Sequence, residues 1–170
     1  MATADEQRPG IRPRATLGRR LDLAARHTFP AGSTVLLMLL SEVPFGIADQ
    51  TTLLPAVALV SVWFWSLYRP AAMSPPVVFL IGLLLDLLDW LPMGTGVLAL
   101  LVTHGLAMRW RRVLGRQGLL LVWLTFMLVA AGVAALEWLA TALLTWRLVP
   151  PDAMGFQAVL SIALYPALAR

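Results

Sequence analysis

The chain has 170 residues, of which 59% are hydrophobic and only 13% charged, with a formal net charge of +4. That charged share is about half what a soluble domain carries, and with a mean hydropathy of +0.80 it excludes an ordinary water-soluble globule. There is no cysteine, which excludes disulfides, thiolate metal sites and a cysteine nucleophile, and two histidines, His27 and His104, are too few for a histidine-rich metal site.

The apolar runs are continuous rather than alternating, which predicts helices and not the strands of a barrel. They read as an all-α polytopic membrane protein, a six-span helical bundle. Residues 1–27 form a basic segment ahead of a transmembrane domain at 28–170. No small-residue cleavage site follows the first apolar run, so the N-terminal region does not read as a secretory signal. Residues 1–15 are expected to be disordered. Residues 16–27 (TLGRRLDLAARH) have two open readings. One is an interfacial helix capped by Thr16, with Leu17, Leu21 and Ala24 on one face and arginines toward anionic inner-leaflet lipid. The other is a solvated, topology-setting basic tail. The spans follow at 28–47, 50–68, 76–93, 95–108, 118–146 and 154–169, joined by short loops. The fourth is only ~21 Å long and the fifth ~43 Å, at 1.5 Å per residue. The fourth then needs Arg109 and Arg112 to snorkel or the bilayer to thin locally, and the fifth must tilt or protrude. No internal repeat of the transporter kind is visible.

All thirteen basic residues are arginines. Arg8, Arg12, Arg14, Arg19, Arg20 and Arg26 precede the first span, Arg69 follows the second, Arg109, Arg111, Arg112 and Arg116 lie between the fourth and fifth, and Arg170 ends the chain. An N-in, C-in orientation makes all of these cytoplasmic and leaves only Arg147 outside, as the positive-inside rule favours. The basic balance therefore reflects membrane topology and not nucleic acid. Trp63, Trp65, Tyr68 and Trp110 read as an inner aromatic belt, with Trp90 and Trp146 toward the outer edge. Ala131, Gly132 and Ala135 give the fifth span a small-residue face, suited to internal packing or to a partner.

Five ionisable residues fall inside the predicted spans: Glu42, Asp86, Asp89, His104 and Glu137. A charged carboxylate at mid-bilayer costs at least ~2.5 kcal/mol, so such groups are expected to face the bundle interior and to have partners. Counting from the inner end of the third span puts Asp86 ~15 Å deep, near the bilayer centre. Met93–Gly94–Thr95–Gly96 reads as the turn of an antiparallel hairpin. Asp86 lies nine residues before Thr95 and His104 nine after, so the two are expected to share a depth and to hydrogen-bond. Asp86 and Asp89, at i and i+3, should lie on one helix face, where one is expected to be protonated or paired. They do not resemble the dyad of an aspartyl intramembrane protease, whose acids converge from two helices and whose GxGD motif is replaced here by GLLLD. No phosphate loop, serine–histidine–acid set or metal-ligand spacing appears. A structural polar core is preferred over a proton relay or ion site, and no cofactor is expected.

The stretch from Pro55 to Gly94, LPAVALVSVWFWSLYRPAAMSPPVVFLIGLLLDLLDWLPMG, resembles the bacterial rod shape-determining MreD family. The resemblance rests on Pro55, Trp65, Pro70, a GxxxD formed by Gly82 and Asp86, Gly94 at the head of the next span, and Pro166 near the C-terminus. It covers about a quarter of the chain closely. Asp89–Trp90 departs from the pattern, and so does the chain's end four residues after Pro166, which is read either as a truncated sixth span or as a different boundary for it. The resemblance implies a non-enzymatic inner-membrane scaffold of the cell-elongation machinery. Its implied partners are MreC and, indirectly, the actin-like MreB, a SEDS-family glycosyltransferase and a class B penicillin-binding protein. It also implies a fold like the S-components of energy-coupling-factor transporters. The alternative function is a solute-binding membrane subunit of that kind, with Glu42, Asp89 and Glu137 lining a pocket open to the outside.

Overall fold

The computed structural model describes residues 17–43, 52–89, 92–115, 117–146 and 152–168. Among them are six α-helices and no strand: α1 (Leu17–Ser41), α2 (Leu53–Tyr68), α3 (Pro75–Leu88), α4 (Thr95–Leu114), α5 (Leu119–Thr145) and α6 (Asp152–Leu168). The fold is an all-helical bundle. One helix, α5, is long and apolar enough to cross a membrane by length and composition.

The centre of the bundle is α2, which packs against α1, α3, α4 and α6. Eleven of its sixteen residues are buried. A helix enclosed on all sides has no use for a polar face, and its only hydroxyls at buried positions are Ser61 and Ser66. By contrast α5 buries one stripe, through Val122, Phe126, Val129, Val133, Glu137 and Thr141. Its remaining surface is Leu120, Leu124, Leu128, Leu139, Leu143 and Leu144, all exposed. The same inversion runs through the molecule. Thr34, Ser66, Asp86, Thr103, His104, Glu137, Gln157 and Ser161 are inside, while leucines face outward on α1, α3, α4 and α5.

Several expected boundaries shift. The 27/28 domain boundary falls inside α1, which runs unbroken from Leu17 through Pro30. Helix α1 ends at Ser41, so Glu42 lies in the turn beyond it, exposed, and the rest of the expected first span, 44–47, lies outside the described residues. Residues 1–16, with Thr16, lie outside the described residues, as do Trp90, Arg116, Arg147 and Arg170. The third span ends at Leu88, five residues early, and the fourth continues to Leu114, so α4 has 20 residues and is not short. Its C-terminal part carries Arg109, Arg111 and Arg112, so its added length is not apolar. Trp63 is wholly buried, between Phe126 and the bundle core, and is no part of a belt. Tyr68 and Trp146 are exposed.

Prolines mark one contact between helices and one within a helix. Pro166 lies inside α6 and has no N–H, so the carbonyl of Ile162, four residues earlier, loses its helical donor. The indole N–H of Trp123 on α5 donates to that carbonyl at 3.0 Å. In α1, the hydroxyls of Ser33 and Thr34 both donate to the carbonyl of Pro30 itself.

Candidate functional site

The densest polar arrangement joins α3 to α4. Gly94 has φ +99°, a backbone region that an L side chain rarely enters, and it is the N-cap of α4. A glycine cap has no side chain to accept the free N–H groups of the first turn. Asp86, in the last turn of α3, supplies the acceptors instead. Its Oδ1 receives Gly96 N–H at 2.7 Å, and its Oδ2 receives Gly94 N–H at 2.8 Å and Val97 N–H at 3.3 Å. Thr95 N–H donates to the carbonyl of Pro92, and Leu98 N–H begins the helical ladder at Gly94. Every donor of this helix start therefore has an acceptor. A carboxylate at the end of α3 faces the negative end of that helix's dipole, and the positive N-terminus of α4 offsets it.

Two more glycines let the helices come this close. A Cβ on Gly82 would stand 2.6 Å from Val97 Cα, and one on Gly96 would stand 2.6 Å from Asp86 Oδ1. Gly82, Asp86, Gly94 and Gly96 thus form one clasp. The GxxxD spacing places Gly82 one helical turn before Asp86 on the same face, so one residue admits the α4 backbone and the other binds it.

This geometry corrects two expectations. Asp86 does not pair with His104: its carboxyl is taken up at the head of α4, whereas His104 lies eight residues beyond Gly96, ~12 Å along the helix. The equal count about Thr95 fails because α3 already ends at Leu88, whereas α4 begins at Thr95 itself. For the same reason Asp86 sits near the end of its helix and not at mid-span. Asp89 is the C-cap of α3, and its N–H still makes the helical bond to the carbonyl of Leu85 at 2.8 Å before the chain turns to an extended conformation (ψ 156°).

His104 bonds to α2 instead. Its Nδ1 is 2.8 Å from the hydroxyl of Ser66, both groups buried. Glu137 on α5 is 2% exposed and accepts a hydrogen bond from Gln157 Nε2 of α6 at 3.0 Å. One turn on, the buried Thr141 hydroxyl has no partner among the described residues. The five predicted residues therefore do not gather into one site. Asp86, His104 and Glu137 each tie a different helix pair, Asp89 closes α3, and Glu42 stands exposed beyond α1. Among the described residues no cluster of three or more histidine and acidic groups could hold a metal.

Sequence reasoning missed Ser66, Gly96, Gln157 and Trp123. A signal existed for two of them. Gly96 is the second glycine of a GTG, and a proline four residues beyond Ile162 announces a free carbonyl. Ser66 and Gln157 are lone polar residues whose partners lie on distant helices. Of the remaining motif positions, Pro55 is buried in the first turn of α2, Trp65 packs edge-on against Phe29 and Phe64, and Pro70 lies in the turn after α2.

Comparison with protein-family models, with curated proteins and with solved structures gave no significant match.

Proposed function

We propose that the chain is a multi-pass protein of the bacterial inner membrane, N-in and C-in, that works as a non-catalytic scaffold of the cell-elongation machinery alongside MreC. The membrane part of this reading rests on the inverted distribution of side chains. A long apolar helix in a soluble core is mostly buried, yet only 33% of the most apolar window of α5 is buried. Exposed leucines on this scale are a liability in water and ordinary in lipid.

The scaffold part is carried by one observation: Gly82, Asp86 and Gly94, the centre of the MreD-like pattern, meet in a single clasp between α3 and α4. Gly94 N–H bonds to Asp86, and Gly82 lies against Val97 in the same first turn of α4, which supports a structural role for the pattern. The buried ionisable groups Asp86, His104 and Glu137 all hold helices to one another. That use favours a fixed surface for partner proteins over a reaction centre. MreC is the direct partner, with MreB, the SEDS-family glycosyltransferase and the class B penicillin-binding protein reached through the same assembly.

The test is co-expression with a cognate MreC, extraction in mild detergent and size-exclusion chromatography, with an unrelated membrane protein of similar size as control. Co-elution with MreC and not with the control is the expected result. Separate elution of the two, with the chain monodisperse, overturns the scaffold reading.

A further inference from the structure

An apolar groove of about 250 Å³ runs between α4 and α5. Val102, Leu106 and Trp110 form one wall, Leu128 and Leu136 the other, and Gly132 the floor. A Cβ added to Gly132 would meet nothing within 4 Å, so the space above it is unfilled by the chain itself. Ala131, Gly132 and Ala135 are all exposed, which puts the small-residue face on the surface and not in internal packing.

The shape of the groove selects its occupant. Val102 to Trp110 spans ~12 Å of helix, so a volume of 250 Å³ gives a mean cross-section of about 20 Å². A helix, ~10–12 Å across, is wider than the groove and could only lie over its mouth. A single hydrocarbon chain enters. Charge then selects the kind of lipid. At the Trp110 end, α4 carries Arg109, Arg111 and Arg112, all exposed. Arg109 follows Leu106 by three residues and lies at the edge of the groove face. We infer that the α4–α5 groove holds one acyl chain of an anionic phospholipid, with its phosphate at Arg109 and Arg112 beside it. The inference rests on the membrane reading above. Trp110 sits where chain gives way to headgroup, the level at which an indole is most at ease.

The experiment uses the full chain, first washed in membranes with alkaline carbonate, then extracted in mild detergent, exposed to equal amounts of phosphatidylglycerol and phosphatidylcholine, and weighed by native mass spectrometry. One retained phosphatidylglycerol per chain is expected, favoured over phosphatidylcholine about fivefold, the factor one basic residue supplies near an anionic surface. Gly132→Phe should fill the groove and abolish retention without loss of thermal stability, because its side chain enters open space. Arg109→Gln should keep a bound lipid but remove the preference. Release of the chain by carbonate overturns the membrane reading and the lipid site with it. A membrane-retained chain that binds both lipids equally, or a Gly132→Phe variant that binds as the original does, overturns the lipid site alone. So does a Gly132→Phe variant that keeps its lipid but loses self-association or a protein partner, which would assign the groove to a packing helix.

Discussion

Replacing Gly82 with alanine adds one methyl group at the closest point between α3 and α4. That methyl would lie 2.6 Å from Val97 Cα and 3.2 Å from Val97 N and Cγ2. Carbon atoms are at ease at ~3.5–4.0 Å, so the helices must part by about 1 Å. The bonds from Gly96 N–H and Gly94 N–H to Asp86, now 2.7 and 2.8 Å, would then stretch to roughly 3.7 Å and cease to be hydrogen bonds. Overpacking of this kind costs about 1–3 kcal/mol, and bonds to a charged group are worth about 1.5–3 kcal/mol each. Against this, alanine is better than glycine within a helix by about 1 kcal/mol. The net expectation is a loss of about 3 kcal/mol, opposite in sign to helix propensity alone. Gly105→Ala on α4 is the control, since a Cβ there meets nothing within 4 Å and the variant should gain about 1 kcal/mol. Unfolding by sodium dodecyl sulfate in mixed micelles, followed by circular dichroism, measures both. The double variant Gly82→Ala/Asp86→Ala should cost little more than the worse single one, because both break the same clasp. A Gly82→Ala chain as stable as the original, or full additivity with Asp86→Ala, would refute the reasoning.

Asp86→Ala should lower folded yield and MreC association, while Asp86→Asn, which keeps one carbonyl acceptor, should be milder by about 1 kcal/mol in the same unfolding assay. Equal loss of association in both, with normal folding, would show that the charge itself is required. Gln157→Leu removes the donor from buried Glu137 and should cost about 3 kcal/mol, whereas Glu137→Gln preserves a bond and should cost less than half of that. Trp123→Phe should cost about 1 kcal/mol in the original chain and clearly less in a Pro166→Ala background, where Ile162 regains a helical donor, so a double-variant cycle without coupling would disprove that link.

The helices were legible because their apolar runs are long and bounded by Gly, Pro and Arg. The second, fifth and sixth were placed within about three residues. The extension of α4 to Leu114 was hidden by its own arginines, which read as loop although arginine is a good helix former. Asp86 was visible as an anomaly, an acid in GLLLDLL, and its likeness to a family pattern drew attention to Gly82 and Gly94. Its task was not visible. A helix cap is normally local, and here the acceptor stands eight residues before Gly94 on the preceding helix, while the cap position itself is glycine. The expected Asp86–His104 bond failed on the same point: equal spacing in sequence gives equal depth only when a turn is symmetric. Polar partners on separate helices, Ser66 with His104 and Gln157 with Glu137, depend on helical phase and packing order, which periodicity leaves undetermined in helices apolar on every side. The α4–α5 groove was legible only as a small-residue face around Gly132, since a cavity is a property of two helices together.

The most direct measurement is of topology. The chain has no cysteine, so single cysteines report without background. Met93, exposed in the α3–α4 turn, and Gln117, exposed between α4 and α5, are the two positions to substitute. Intact spheroplasts are treated with a membrane-impermeant maleimide, then lysed and treated again. A bundle that crosses the membrane with its arginine-rich loop inside predicts labelling of Met93→Cys in intact cells and of Gln117→Cys only after lysis. Labelling of both alike, or in the reverse order, would contradict it.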